Sequence, residues 1–390
     1  MSQPLSPGSA YIVAARRSAL GRPGGLHRTR RIEALSAPII EAVLKDAGVP
    51  AAQVHEFILG NTTAGGNPAR VVALAAGLDE SVPALTVDRQ CASGLDAILL
   101  GLRTVMMGEA AIVIAGGAES LSTAPWRIAK PRTLFQTPRF IGPEGDADGD
   151  HGFAFPSIAA CEMLARRRGI SRSEQDMETL KAHLKADKAR DDRRFVGEIV
   201  PIRGNAEEAR DETGAVPEID DLAELDPLVP PDGTHTSGNS ASPRDGAAMV
   251  LIVSPSVYAD LGRPPALRLL ACATQGVGAG EEAAAPILAL EKAMRPNGAA
   301  KPAPQIVETS EASAAQVLAL AQALELGEAS INPAGGAIVR GYPLGASGAV
   351  SLVRLFSELV RRREETRASF GAVTQGAAGG LGVAALFERV

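Results

Sequence analysis

The chain is poor in aromatic side chains. Its 390 residues include 1 Trp, 3 Tyr and 9 Phe, which together make up 3% of the sequence. So few rings argue against a surface that binds nucleic acid by stacking bases. The formal net charge of −6 and the sequence pI of about 5.6 argue against a general nucleic-acid binder as well. We therefore expect no nucleic-acid partner.

Cysteine and long hydrophobic runs are scarce too. The cysteines are Cys91, Cys161 and Cys272, an odd number without the short spacing of metal ligands, so we expect neither a disulfide framework nor a metal site. No stretch approaches 18 uncharged apolar residues, and the first residues lack a basic region followed by an apolar run. These absences predict an unexported cytoplasmic protein that does not enter a membrane.

What the chain does contain is an alternation of strand-like and helical segments. Residues 10–14 are a β-rich apolar run, and residues 31–47 carry apolar side chains at helical spacing before Gly48. The alternation continues with strands predicted over residues 54–61, 84–88 and 110–120 and helices over residues 69–78 and 93–108. It stops after residue 120 and resumes with a buried strand over residues 245–254. The pattern predicts a layered α/β fold.

The interruption divides the chain into three predicted parts. The first half comprises residues 1–120 together with residues 245–262, and the second half comprises residues 263–390. Between them lies an inserted segment rich in loops, Pro, Gly and charge, residues 121–244, with one helix predicted over residues 173–194. We call residues 121–244 the lid.

The second half repeats the first. Residues 93–120 and residues 347–380 each open with Ser-Gly, continue through an apolar-faced helix, and end in a strand of small residues and a glycine turn. Two copies of one α/β unit bring equivalent loops together across a pseudo-twofold axis. We therefore expect the Ser93-Gly94 and Ser347-Gly348 pairs to face one site.

The sequence "VDRQCASGLDAI" places Cys91 in a turn between a strand and a helix. Free backbone N–H groups and the helix dipole at such a position favour a thiolate and can bind an oxyanion, which suits a sulfur nucleophile. The alternative is that Cys91 is a small buried hydrophobic residue, the common fate of free cysteines.

Six segments in the same order resemble the thiolases, acyl-CoA acyltransferases that make or cleave 3-oxoacyl-CoA. The segments are "VDRQCASGLDAI", "GGAESLS", "GISRSEQD", "THTSGNSASPRDGAAMVLI", "GGAIVRGYPLGASGAV" and "GGLGVAALFE". The resemblance implies a five-layer α/β/α/β/α core of two βαβαβαββ halves, a lid that binds coenzyme A, and a homodimer or homotetramer in the cytoplasm. It implies a CoA thioester as substrate and no permanently bound cofactor.

The resemblance also locates four catalytic loops. Cys91 lies in a complete "CxS" pattern. Residues 310–313 occupy the "NEAF" loop, with Ser310 in place of the Asn and Ser313 in place of the Phe. Tyr342 replaces the "GHP" histidine, and Gly376 replaces the "CxG" cysteine that removes an α-proton. A phenol is a hydrogen-bond donor near neutrality and a poor base.

These departures leave acylation of Cys91 possible but remove the base that Claisen chemistry needs. The leading hypothesis is therefore an acyltransferase that passes a Cys91-bound acyl group to an acceptor other than a carbon acid, with a partner subunit possible. One alternative is an ordinary 3-ketoacyl-CoA thiolase with a substitute base. Another is a non-catalytic subunit that binds CoA esters.

Two histidines are candidates for the substitute base. His151 lies in the part of the lid that approaches the pantetheine arm in thiolases, and His235 precedes the segment that lines the CoA pocket. In that segment, residues 237–242, the candidates for hydrogen bonds to CoA are Ser237, Ser240 and Ser242. The lid arginines that could meet the CoA phosphates are Arg166, Arg167, Arg168, Arg193 and Arg194.

Overall fold

The computed structural model describes residues 8–141, 158–202, 204, 206–327 and 330–390. The described strands are β1 (Tyr11–Arg17), β2 (Glu56–Gly60), β3 (Ala84–Val87), β4 (Ile112–Glu119), β5 (Arg127–Ala129), β6 (Arg139–Ile141), β7 (Gly246–Val253), β8 (Leu267–Gly276), β9 (Ile306–Thr309), β10 (Phe370–Ala377) and β11 (Leu381–Arg389). The described α-helices are α1 (Ile32–Ala47), α2 (Pro68–Ala75), α3 (Ser93–Met107), α4 (Ile158–Arg168), α5 (Arg172–Asp191), α6 (Ile219–Ala223), α7 (Pro255–Asp260), α8 (Ala285–Met294), α9 (Ala314–Leu324), α10 (Ala337–Arg340) and α11 (Ser347–Phe356).

Nine strands form a continuous sheet in the order β3-β2-β4-β7-β1-β8-β11-β10-β9. The first five strands in this order belong to the first half of the chain and the last four to the second half. The two groups join where β1 pairs antiparallel with β8, at Tyr11 opposite Arg268 and Ile12 opposite Leu267. The inserted lid therefore lies between β4 and β7, which are direct neighbours in the sheet.

Three hydrophobic clusters order the helices into layers. One cluster packs α1 and α2 on the strands of the first half, and another packs α8 and α9 on the strands of the second half. The third joins α3 and α11 with strands from both halves, so these two helices form the middle layer. The predicted five-layer α/β/α/β/α core is confirmed.

The lid contains more regular structure than the sequence pattern predicted. In addition to the predicted helix, observed as α5, the structure has α4, the short α6 and the β5–β6 hairpin. A capping box starts α5, because the Ser171 hydroxyl accepts a bond from the backbone N–H of Glu174 and the Glu174 carboxylate accepts one from the backbone N–H of Ser171. Helix α4 ends in three consecutive arginines, which weaken its apolar pattern and explain why it was not predicted.

The two middle helices approach one another closely at their N-termini. A Cβ on Gly94 would lie 2.7 Å from the carbonyl oxygen of Gly345, and a Cβ on Gly348 would lie 2.6 Å from the Cβ of Leu95. Any larger residue at these positions would push the helices apart. The structure thus brings the two Ser-Gly pairs together, as the internal repeat predicted.

A buried ionic network ties the lid to the core. Glu198 of the lid is fully buried between Arg17 on β1, at 2.6 Å, and Arg354 on α11. Arg17 also binds Asp211 at 2.6 Å, and Arg354 also binds Glu358. Burial by itself would raise the pKa of Glu198, but the two arginines outweigh it and lower that pKa to about 2.

We predict that this network makes the fold sensitive to acid. Because the folded-state pKa of Glu198 lies below its ordinary value of 4.5, its contribution is complete above pH 4.5 and is lost as the pH falls towards 2. Chemical denaturation at a series of pH values should therefore give a falling free energy of unfolding over that interval. In Glu198→Gln the protein should be less stable at neutral pH by about 3–5 kcal/mol, because Arg17 and Arg354 lose their shared partner, and less sensitive to acid.

Exposed Glu41 on α1 provides the matched control. Glu41→Gln should leave both the stability at neutral pH and its acid dependence close to those of the unmodified protein. Equal acid dependence in Glu198→Gln and Glu41→Gln would contradict the assignment.

Candidate active site

The turn that carries Cys91 is held in an unusual backbone conformation. Gln90 has a φ of 50°, in the left-handed region that residues other than glycine rarely adopt. The Ser93 hydroxyl stabilises the turn, because it donates to the Gln90 carbonyl at 2.5 Å and accepts from the backbone N–H of Arg89 at 2.7 Å. The serine of the Cys91-Ala92-Ser93 pattern thus fixes the turn that presents the cysteine at the start of α3.

Three donors surround the sulfur of Cys91. The Tyr342 hydroxyl, the backbone N–H of Ala378 and the backbone N–H of Cys91 itself all hydrogen-bond to the sulfur. The residue is only 1% exposed. Burial raises the pKa of the Cys91 thiol to about 12, against the lowering effect of the three donors. The helix N-terminus does not produce the resting thiolate that its position in the sequence suggested, since burial outweighs it.

Tyr342 is fixed from both sides. Its backbone N–H donates to the Ser242 carbonyl at 2.8 Å and its carbonyl accepts from the backbone N–H of Arg244 at 3.1 Å. Gln375 donates to the phenol oxygen at 2.6 Å, and the single phenol proton is shared between the Gly376 carbonyl oxygen, at 3.3 Å, and the Cys91 sulfur. Burial, reinforced by Cys91, raises the pKa of Tyr342 well above its ordinary value, so the phenol stays protonated.

The turn before Tyr342 requires a glycine at position 341. Its φ is 88°, and a Cβ there would lie 2.2 Å from the side chain of Arg244. No larger residue fits this position without displacing that arginine.

A buried carboxylate joins the loops of the two halves beneath Cys91. Glu119, at the end of β4, accepts bonds from Asn61 at 2.9 Å, from the Thr62 hydroxyl at 2.7 Å and from the backbone N–H of Gly345 at 3.0 Å. Burial raises the pKa of Glu119. Neither Glu119 nor Gln375 was predicted from the sequence as a site residue. For Glu119, the signal available in sequence was a lone acidic residue at the end of a buried strand.

The residues at 310–313 turn into the protein. The Ser310 hydroxyl donates to the Ser347 carbonyl at 3.1 Å and lies 2.9 Å from the Ser351 hydroxyl on α11. Glu311 accepts from Asn332 at 2.8 Å and from the backbone N–H of Ile338. These bonds stiffen the loop and direct the Ser310 hydroxyl towards α11.

The structure describes only one of the two candidate histidines. His151 lies outside the described residues. His235 is fully buried, with Nε2 3.0 Å from the Ser313 hydroxyl and Nδ1 3.0 Å from the Glu162 carboxylate. Cys161, next to Glu162 on α4, also hydrogen-bonds to Ser313. His235 and Ser313 stood out separately in the sequence, whereas their neighbours Glu162 and Cys161 were not predicted.

The three serines proposed to contact CoA differ in exposure. Ser237 and Ser242 are exposed, and the Ser242 hydroxyl accepts from Arg244 at 2.6 Å. The Ser240 hydroxyl is buried and has no hydrogen-bond partner in the described part of the chain. A polar ligand that reaches Ser240 would therefore gain a free hydroxyl group.

Of the lid arginines, Arg194 is unsuited to a phosphate because it binds Glu358 and the Pro333 carbonyl. The other four, Arg166, Arg167, Arg168 and Arg193, are exposed. Arg193 borders a crevice of 820 Å³ between α5, residues 195–199, residues 209–216 and α10, whose walls also include Arg190 and Arg210.

No helix among the described residues is both long enough and apolar enough to span a bilayer. Over the same residues, no group of three or more His, Cys, Asp or Glu side chains is arranged to hold a metal ion.

Comparison with known proteins matches both halves. The family model described as the thiolase N-terminal domain covers residues 10–256, and the thiolase C-terminal domain covers residues 263–389. The acetyl-CoA acetyltransferase of Rhizobium meliloti is 35% identical over 401 residues, covering 99% of this chain and all of the relative. That of Pseudomonas aeruginosa is 35% identical over 391 residues, covering 97% of this chain and 98% of the relative.

The crystal structure of the Bacillus anthracis acetyl-CoA acetyltransferase superposes with a TM-score of 0.88 at 30% identity, covering 98% of this chain and 99% of that one. Two related α/β halves with a buried cysteine at their junction define the class as a thiolase-like acyltransferase. The chain belongs to the thiolase family.

We predict that Tyr342→Phe makes Cys91 harder to ionise. The substitution removes the phenol hydrogen bond that lowers the thiol pKa, and a hydrogen bond to a charged group contributes about 1.5–3 kcal/mol. Labelling of Cys91 by iodoacetamide at pH 9, followed by mass spectrometry of the peptide, should slow by about tenfold or more. Tyr258→Phe, which removes a hydroxyl bonded to the Pro264 carbonyl, should label at the original rate. Labelling of Tyr342→Phe at or above the original rate would sink the prediction.

Proposed function

We propose that this protein transfers an acyl group from a CoA thioester to a non-standard acceptor through a thioester on Cys91. The observation that carries the proposal is the set of three donors around the Cys91 sulfur: the Tyr342 phenol and the backbone N–H groups of Cys91 and Ala378. Donors directed at the sulfur stabilise the negative charge that it carries as it attacks the thioester.

Acylation of Cys91 exchanges one thioester for another with no net change in protons. The Cys91 sulfur attacks the thioester carbonyl, the carbon–sulfur bond to CoA breaks, and the Cys91 proton ends on the CoA sulfur. A thiol with a pKa of about 12 gives very little free thiolate, so the Tyr342 hydrogen bond matters most while the negative charge develops. The buried Ser240 hydroxyl and the exposed Ser237 and Ser242 are the proposed contacts of the pantetheine arm.

Claisen chemistry is disfavoured at the same site. It requires a base against a carbon acid, and the residue at the expected position is Gly376, beside a phenol whose pKa is raised. An acceptor with its own electron density, such as a phenolic ring, an enol, an amine or an alcohol, avoids that requirement. Two functions compete with this proposal. One is that of an ordinary 3-ketoacyl-CoA thiolase, and the other is that of a non-catalytic subunit that binds CoA esters.

Intact-mass spectrometry after incubation with a panel of acyl-CoA thioesters tests the acyl-enzyme. We predict an adduct of one acyl group with at least one donor, lost in Cys91→Ala because the accepting sulfur is gone. Cys272→Ala provides the matched control, since Cys272 is partly exposed and lies 3.5 Å from Arg103, and it should keep the adduct. No adduct with any donor would favour the binding subunit.

A restoration experiment separates the two enzymatic functions. A Cβ on Gly376 would make only ordinary contacts, at 3.5 Å from the ring of Pro286, so the strand tolerates a side chain at this position. We predict that Tyr342→His combined with Gly376→Cys increases thiolysis of acetoacetyl-CoA at least ~10²-fold, because it supplies both missing acid/base groups. Tyr342→His combined with Gly376→Ala, which adds a Cβ without a thiol, should not. Thiolysis by the unmodified protein as fast as by the Tyr342→His, Gly376→Cys variant would instead establish an ordinary thiolase.

The proposed assembly is a homo-oligomer. Edge strand β3 exposes Leu85, and the β5–β6 hairpin exposes Trp126 and Phe140 in contact with one another at a ring-centroid distance of 5.7 Å. Exposed aromatic rings in a chain with so few of them favour burial against a second copy. Light scattering after gel filtration measures the assembly.

A further inference from the structure

Outside the Cys91 site, the described residues contain a second buried polar constellation. Its members come from three distant parts of the sequence: Glu162 on α4, His235 before the 237–242 segment, and Ser313 at the start of α9. All three are at least 97% buried. A hydroxyl, an imidazole and a carboxylate in series form the arrangement that moves a proton away from an oxygen.

The hydrogen bonds assign a direction to the series. Glu162 accepts from the backbone N–H of His235 at 2.7 Å and lies 3.0 Å from the imidazole Nδ1. Burial would raise the pKa of Glu162, but these bonds and the Thr234 hydroxyl lower it, so the carboxylate is ionised. An ionised carboxylate requires a proton on Nδ1, which leaves the lone pair of Nε2 to accept from the Ser313 hydroxyl at 3.0 Å.

Cys161 is a second neighbour of the Ser313 hydroxyl. Burial raises the pKa of its thiol to about 11, against the lowering effect of a hydrogen bond from Ser313. The thiol is therefore uncharged and only a weak acceptor, so the lone pair of His235 Nε2 is the better acceptor for the Ser313 proton.

The backbone connects this constellation with the surroundings of Cys91. Ser240 is paired with Ser313 as a β-bridge, and two residues later Ser242 bonds to the backbone of Tyr342. Two residues of extended chain span roughly 7 Å, so Ser313 and Tyr342 flank one short segment. The hydroxyl of Ser240, directly opposite Ser313, is buried and has no partner among the described residues.

We propose that Glu162, His235 and Ser313 form a relay that takes the proton of the acyl acceptor in the second half of the reaction. This inference rests on the proposed Cys91 acyl-enzyme. The acceptor X–H attacks the acyl carbon, its proton moves to the Ser313 oxygen, and the proton of Ser313 moves to Nε2 of His235. The carbon–sulfur bond breaks, and the proton on His235 returns through Ser313 to the Cys91 sulfur when the product leaves.

The relay and Cys91 are buried to the same degree, away from bulk water. In this scheme Ser313 contacts the acceptor, and Glu162 acts as a positioning residue through His235. A relay of this kind supplies a base for an acceptor that carries an O–H or N–H group. Gly376 supplies no base for a carbon acid.

The pH dependence follows from the groups around His235. Burial, opposed by Glu162, holds the pKa of His235 below its ordinary value of 6.5. The other titratable groups nearby are Cys161 on α4, Asp176 on α5, which accepts from Asn239 at 2.9 Å, and Glu282, which acts on Cys161. Since the relay requires neutral His235, transfer should fall on acidification, with its midpoint below pH 6.5.

The test follows the decay of the acyl-enzyme formed with the best donor, with water alone and then with resorcinol as the probe acceptors. Water is always present, so the decay is measurable whatever the natural acceptor is. In His235→Gln and Ser313→Ala the adduct should still form, but its decay should slow at least ~10²-fold and lose its dependence on pH. Ser313→Thr keeps a hydroxyl and should retain the pH dependence.

His183→Gln is the matched control, since His183 lies on α5 beside the large crevice, and it should change neither formation nor decay. Thermal unfolding of each variant shows whether it still folds. If His235→Gln does not fold, Ser313→Ala, which removes only one oxygen atom, tests the relay on its own. An unchanged rate and pH profile of decay in folded Ser313→Ala would overturn the relay. Absence of an adduct in the unmodified protein would instead overturn the proposed function on which the relay rests.

Discussion

The close approach of helices α3 and α11 is the constraint on which the rest of the structure depends. Glycines at 94 and 348 let the two helices meet without intervening side chains, and Gly117 on β4 lets the strand reach the same point, where a Cβ would lie 2.6 Å from the Gly345 carbonyl oxygen. Because each helix belongs to one half, their contact brings together two turns that are about 250 residues apart in the chain. Cys91 comes from one turn and Tyr342 from the other, so the hydrogen bond between them exists only while the helices stay in contact.

A cysteine at the start of a helix is expected to have a lowered thiol pKa, but the pKa of Cys91 is raised. The dipole of α3 and three donors favour a thiolate, yet burial away from water costs more and keeps the resting group a thiol. The same donors can stabilise the negative charge that develops on the Cys91 sulfur only during the reaction. A protonated Tyr342 fits this arrangement, since it can stabilise a negative sulfur or oxygen but cannot remove a proton.

Local patterns in the sequence predicted much of the fold. The alternation of strands and helices, the strand-turn-helix around Cys91 and the repeated Ser-Gly pairs all depend on residues close together in the chain, where spacing carries the information. Helix α4 was missed because its three terminal arginines weaken the apolar pattern, and the β5–β6 hairpin because each of its strands has only 3 residues. The contacts of His235 could not be predicted, since Glu162 lies 73 residues before it and Ser313 lies 78 residues after it. Only the tertiary packing of α4 against α9 brings the three together.

The salt bridges of Glu198 connect the lid to both halves of the core. Lid residues Asp211, Glu198 and Arg194 bind Arg17, Arg354 and Glu358, and the ring of Phe195 lies 5.0 Å from the guanidinium of Arg354. Arg17 belongs to the first half and Arg354 to the second, and Glu198 binds both. A shift of one half against the other would therefore strain the two salt bridges of this single lid carboxylate.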